Sequence, residues 1–310
     1  MKYVTSIILV LCFCYRSTAF AALSDGQRNA LDQLLGFKGT YLQSDNVHKF
    51  NVPRTDVKVT VDRWTMPPFM GLTSWAAFSQ GAFREAVVMG DLVLFEDEVN
   101  PVLSTALDNG LEVTALHNHF FYDSPKVMFL HIGGESSLAE LARGVRKCLD
   151  KVKEIRSANP VPATTFGTSD LPPSSTITSA PLDHIFGVKG QSSSGMYKAV
   201  IGRSAHMHSK EIGAQLGVNT WAAFFGSDDH AVVDGDFAMT INELQPVLKA
   251  LRTAGINIVA IHNHMVHEEP QFVFLHYWGR GKALDLAHGL HSALDKQSFA
   301  GSHELTHPGH

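Results

Sequence analysis

The sequence predicts an α+β protein built as two tandem repeats of one mixed helix/antiparallel-sheet domain. Three observations carry that reading. The first is self-similarity: Gly36-Phe37-Lys38-Gly39 returns as Gly187-Val188-Lys189-Gly190, and Trp75-Ala76-Ala77-Phe78 returns as Trp221-Ala222-Ala223-Phe224. From Gly90-Asp91 onward the offset settles at 145 residues, repeating Gly235-Asp236, Pro246-Val247-Leu248, His262-Asn263-His264, Pro270 and Phe274-Leu275-His276. The second is composition: 45% hydrophobic and 18% charged residues over 310 positions suffice for a buried core in each half. The third is the mixture of short β-rich runs with amphipathic helical spacing, which suits helices on antiparallel sheet better than a doubly wound parallel sheet.

Along the chain, Met1 to Ala21 has the anatomy of a secretory signal peptide. Lys2 gives a positive start, Val4 to Cys14 is an apolar run too short to span a bilayer, and Ala19-Phe20-Ala21 is an A-x-A cleavage site. The first repeat domain occupies 22–156, a linker 157–181, the second repeat domain 182–299 and a histidine-bearing tail 300–310. Fifteen of the 25 linker residues are Ser, Thr or Pro, a composition that resists ordering. In the first repeat Ala86 to Phe95 reads as β structure around a Gly-Asp break. Asp97 to Asn109 has helical spacing closed by Gly110, then come strands Leu111 to His117 and Lys126 to Ile132, and a helix Ser136 to Val152. The second repeat follows with a helix Ile241 to Thr253, strands Asn257 to Ile261 and Gln271 to Tyr277, and a helix Lys282 to Lys296. The Trp75 and Trp221 segments show apolar neighbours at helical spacing and read as core.

Composition excludes several classes of function. Three cysteines, two of them in the leader, leave Cys148 alone in the mature chain, so disulfide, thiolate-zinc and iron–sulfur chemistry drop out. Loss of Lys2 and Arg16 takes the formal charge from −5 to −7, and no basic run stands against it, so nucleic acid is not the expected partner. Stable membrane insertion is not expected either. Walker, G-x-G-x-x-G, G-x-S-x-G and H-E-x-x-H patterns do not occur. The contiguous H-N-H letters do not match the scattered residues of a homing-type nuclease.

What stands out is histidine, 17 in all. His117 and His119 are two apart on a strand end and share a face. With a hairpin centred near Ser124, His131 falls directly opposite His117 and joins them. His262, His264 and His276 repeat the arrangement around Glu269. Nineteen residues before each trio stands a carboxylate, Glu98 and Glu243, in the first turn of the neighbouring helix. Three imidazoles and a carboxylate form a donor set for a divalent transition metal, zinc first and copper next. The second repeat is better furnished, because His206, His208 and Glu211 precede its trio and His267, Glu268 and Glu269 occupy its hairpin loop. Asp62 and Asp123 stand at the corresponding places of the first repeat.

The run Gly90-Asp91-Leu92-Val93-Leu94 through Asp97-Glu98-Val99-Asn100-Pro101-Val102, with Ala115-Leu116-His117-Asn118-His119 and Phe129-Leu130-His131, resembles the secreted bacterial LppY/LpqO-type family, a domain of unknown function (DUF1259). The resemblance spans both repeats. It implies a secreted or envelope bacterial protein with a duplicated domain and implies no particular activity. Three functional readings therefore stand at the sequence level. The first is a secreted or periplasmic metal-binding protein. The second is a metal-dependent hydrolase of the cell envelope, with Glu269 or Glu211 as general base. The third is a two-domain binding module for an envelope partner, without metal.

Overall fold

The structure, a computed structural model, describes residues 22–167 and 170–298. The expected leader and the histidine tail lie outside the described residues. Each repeat opens with a helix, α1 (Asp25–Leu35) in the first. Strands β1 (Thr40–Leu42), β2 (Val47–Pro53), β3 (Thr60–Val61), β4 (Trp64–Thr65) and β5 (Thr73–Gln80) follow. Then come β6 (Ala86–Phe95), α2 (Glu96–Asp108), β7 (Glu112–His117), β8 (Asp123–Ser124), β9 (Val127–Ser136) and α3 (Leu138–Ala158). The second repeat runs α4 (Ser179–Phe186), β10 (Gln191–Ser193), β11 (Met196–Gly202), β12 (Ala205–Met207) and β13 (Lys210–Ile212). It continues with β14 (Asn219–Gly226), β15 (Ala231–Thr240), α5 (Leu244–Thr253), β16 (Asn257–His262), β17 (Glu268–Glu269), β18 (Phe272–Gly281) and α6 (Ala283–Leu294).

The α+β class holds, and the two repeats share more than a fold. Their sheets fuse into one 12-stranded antiparallel sheet, β1-β2-β5-β6-β9-β7-β16-β18-β15-β14-β11-β10. The seam is β7 against β16, with Leu116 opposite Ile261, residues that are equivalent by the 145 offset. Two reciprocal clamps lock it. The Asn100 side chain on α2 donates to the carbonyl of Ile258 (3.1 Å) and accepts from its N–H (2.7 Å). Its counterpart Gln245 on α5 does the same to Val113, at 2.8 and 3.0 Å. The N–H and carbonyl of Ile258 and of Val113 are thereby satisfied in a pseudo-two-fold manner.

The helices cover one face of this sheet with a single continuous core that draws on both repeats. Cys148 lies in it, and burial pushes its thiol up to about 12, so it is an inert packing residue. The other face carries smaller sheets toward one end of each half. These, β4-β3-β8 and β13-β12-β17, roof two satellite clusters around Phe129 and Phe274.

Several expectations change in the fold. The Gly90-Asp91 and Gly235-Asp236 pairs do not break their strands, since β6 and β15 run unbroken for 10 residues each. Gly235 is required because a Cβ there would stand 2.0 Å from the Tyr277 hydroxyl, which donates to Trp221 O at 2.8 Å. The Trp75 and Trp221 segments are strands with alternating burial, and both indoles are half-buried on the open face. Lys49 and Lys198 lie over them at 4.5 and 4.2 Å. The serine- and proline-rich stretch is anchored at both ends. Ala163 donates to Asp97 (3.0 Å), and Thr176 and Ile177 donate to Gly226 and Gly195 (2.7 and 2.9 Å).

Candidate metal centre

Leu116 and Ile261 point into the helix-side core, so their neighbours His117 and His262 both project onto the open face. Each trio assembles there. In the first repeat the His117 ring lies 5.1 Å from those of His119 and His131. In the second, His262 lies 5.1 Å from His264 and 4.7 Å from His276. The expected convergence is present, through a different register. β7 and β9 bring Ala115, not His117, opposite His131, and His117 faces Phe129. Ala260 faces His276 in the same way, after a bulge between Ile258 and Ala260. A slip of two residues preserves the face, so the histidines still meet, diagonally. The vacated place is used. His119 and His264 lie past the strand ends and fold back to stack on Phe129 and Phe274, centroids 3.3 and 3.6 Å apart.

Glu98 and Glu243 do not join the trios. Glu98 is fully buried, accepts from the Phe95 N–H (2.8 Å) and from Arg54 (2.7 and 3.0 Å), and pairs with Arg156 at 2.8 Å. Glu243 accepts from Thr240 N (2.8 Å), Ser298 N (2.7 Å) and Arg203 (2.5 and 3.2 Å). These are helix N-terminal capping glutamates neutralised by arginine. Their fixed spacing from the histidines reflects helix–sheet packing.

The carboxylates at the site are Asp91 and Asp236, which the sequence reading passed over. Each lies directly opposite the outer histidine of its trio, Asp91 facing His131 and Asp236 facing His276. The signal was available: the Gly-Asp pair recurs at the same 145 offset as the histidines. Asp236 Oδ2 lies 3.0 Å from His264 Nε2, whereas Asp91 Oδ2 is 3.8 Å from His131 Nε2. Ligand atoms of Asp236, His262 and His264 lie within 4.8 Å of one another and could hold a metal ion. His264 and His276 direct their Nδ1 atoms at the carbonyls of Gly217 and Gly235, both at 3.3 Å, which orients the rings and leaves Nε2 for other work.

The electrostatics fit a cation. Among the described residues Asp236 Oδ1 and His262 Nε2 are buried with no hydrogen-bond partner, and Asp91 Oδ1 repeats this in the first repeat. Burial pushes the Asp236 carboxyl up, against the pull of His276 and His264. Burial, with His276 and His264 beside it, pulls the His262 imidazole down, which keeps it neutral and able to ligate. Burial and the neighbouring His117 do the same to His119. The two sites centre on β9 and β18, three strand spacings apart, or roughly 14 Å. They are separate sites, since a dinuclear centre holds its ions ~4 Å apart.

The remaining candidates lie on the small sheets. His206 faces Glu211 and Glu269 across β12, and the His208 ring lies 6.2 Å from that of His267. None of these belongs to the tight group around Asp236. Glu268 is a buried residue that accepts from the Phe272 N–H at 2.9 Å, matching Asp123, which accepts from Val127 at 2.7 Å. Both are turn-building carboxylates.

Fold and site together define a duplicated α+β protein with one histidine–carboxylate cluster per repeat on a shared sheet face. The chain belongs to the family described as Domain of Unknown Function (DUF1259), whose model matches residues 29–151 and 180–296. No curated protein matches it. Among solved structures, it is similar to a trimeric bacterial microcompartment shell protein, PduB, at 12% identity over 83% of this chain and 89% of that one. The TM-score of 0.19 gives that likeness no structural weight. No helix among the described residues is long and apolar enough to cross a membrane.

Proposed function

We propose that this protein binds a divalent transition metal on the open sheet face, most tightly in the second repeat through Asp236, His262 and His264, with His276 beside them. Zinc is the metal this nitrogen-rich, single-carboxylate donor set suits first, and copper next. The observation that carries the reading is the pair of buried, unpartnered ligand atoms, Asp236 Oδ1 and His262 Nε2, within one group of metal-bonding reach. Most buried polar atoms in native proteins are satisfied, and a cation would satisfy both of these at once. Bound there, a metal would supply a Lewis acid with one side open to solvent past the exposed His264. The leader pattern of Met1 to Ala21 supports export to the periplasm or medium, with the mature chain beginning at Ala22.

Metal analysis of the exported protein, purified from metal-replete cells, tests the reading. We expect about one zinc or copper per chain, lost in the His262→Ala/His264→Ala double variant. Less than about 0.2 metal per folded chain overturns it.

A further inference from the structure

A cavity of about 480 Å³ opens on the helix side of the sheet, at the junction of the repeats, where α2, the end of α5 and the strap Ala163 to Gly167 meet. Its volume is that of a small-ligand site. Several lining residues depart from the repeat, and the most telling is Arg252, which stands where the first repeat has Leu107. The other arginines buried near a helix end, Arg54, Arg156 and Arg203, each hold a carboxylate. Arg252 instead donates to neutral groups, the Ser104 hydroxyl (3.1 Å), the Ile256 carbonyl (2.8 Å) and Asn257 Oδ1 (2.9 Å). Its Nη2 has no partner among the described residues, and burial pulls its pKa down. A guanidinium positioned by neutral anchors and lacking a counter-anion is built to receive an oxyanion.

The opposite end of the cavity has the opposite character. Glu96 and Asp97 line it in the first turn of α2, which already carries three acidic residues, so a further anion is not what this end attracts. Asp97 Oδ2 accepts from Arg156 and from Ala163 N, while Asp97 Oδ1 is buried without a partner. Ser104, which anchors Arg252, is two helical turns further along α2, about 10 Å away.

The geometry points to a binding site for a zwitterionic short peptide, its carboxylate on Arg252 and its ammonium group against Glu96 and Asp97. At ~3.5 Å per extended residue, a chain of two or three residues spans the two ends, whereas a free amino acid carries both charges on one carbon and reaches only one of them. The site is independent of the histidine face.

Titration calorimetry of the full chain with tri-alanine tests this. Saturable binding is expected, weakened at least tenfold by amidating the peptide's carboxylate or acetylating its amine. Arg252→Leu, which installs the first repeat's residue, should abolish it with the far-ultraviolet spectrum and metal content unchanged, and Glu96→Gln should weaken only the peptide with a free amine. No saturable heat up to about 10 mM, equal binding of acid and amide, or undiminished binding by folded Arg252→Leu each overturns the proposal. If Arg252→Leu does not fold, the three peptides on the unaltered protein decide it.

Discussion

At the scale of single residues, the second site sets a buried carboxylate against a half-buried imidazole that resists protonation. The two groups act oppositely on the metal-free chain. The Asp236 carboxyl is raised by burial, so its contribution to stability is present at low pH and is lost as pH rises through the folded value. His262 is lowered by burial and by His276 and His264, so its contribution is present above the ordinary ~6.5 and is lost as pH falls toward the folded value. At neutral pH the cost therefore sits on Asp236. Asp236→Asn should raise the melting temperature of the metal-free chain by about 2–4 °C while abolishing tight metal binding, a pairing that calorimetric melting and titration read separately. In the unaltered protein, metal affinity should fall below about pH 6.5, where protons compete for the imidazoles. Replacing His262 and His264 should remove more affinity than replacing His117 and His119, because among the described residues it is Asp236, His262 and His264 whose ligand atoms gather within 4.8 Å of one another. Equal losses would reverse that ranking.

At the scale of elements, the capping glutamates tie α2 and the turn before α5 to the sheet. Glu243 illustrates the sign: burial pushes its carboxyl up, but Arg203 and the N–H groups of Thr240 and Ser298 outweigh that and hold it below the usual range. Its stabilisation is present above the ordinary carboxylate range and is lost as pH falls through the folded value. Glu98→Gln and Glu243→Gln should each cost about 3–5 kcal/mol in denaturant unfolding, because each breaks a buried arginine–carboxylate pair, with metal content unchanged. A loss of metal without a loss of stability would restore these glutamates as ligands. The helices α2, α3, α5 and α6 and the strands β6, β7, β9, β16 and β18 were legible from spacing, Ala86–Phe95 to the residue, whereas α1, α4 and the Trp75 and Trp221 strands were not. The hairpin register was not, because parity fixes which side chains share a face and leaves a two-residue slip open. Bulges at Val113/Ala115 and Ile258/Ala260 and the stacking of His119 and His264 on phenylalanine settle it.

At the scale of the whole molecule, the repeats are one body. They share a sheet, a core and the two amide clamps across β7 and β16. The full chain should unfold in a single transition, with circular dichroism and tryptophan fluorescence coincident. A fragment holding the second repeat alone would expose β16 and a Gln245 amide with nothing to clamp, an unpaired edge that invites its own copy. We expect that fragment to be dimeric by light scattering, through β16 against β16. A stable monomer with native-like melting would show that the seam contributes little.

The sequence by itself determined the duplication, the α+β class and the two histidine trios, because a fixed 145-residue offset and two-residue periodicity are properties of the chain alone. It also held Asp91 and Asp236 in the same offset, as residues of a recurring Gly-Asp pair. Tertiary structure alone decided which carboxylate meets the histidines. Glu98 and Glu243 were buried against Arg54, Arg156 and Arg203, up to 58 residues away in sequence, and the aspartates arrived from a neighbouring strand. It also decided that two similar domains would be one sheet, since which strand edge meets which depends on pairings that periodicity within either strand does not encode.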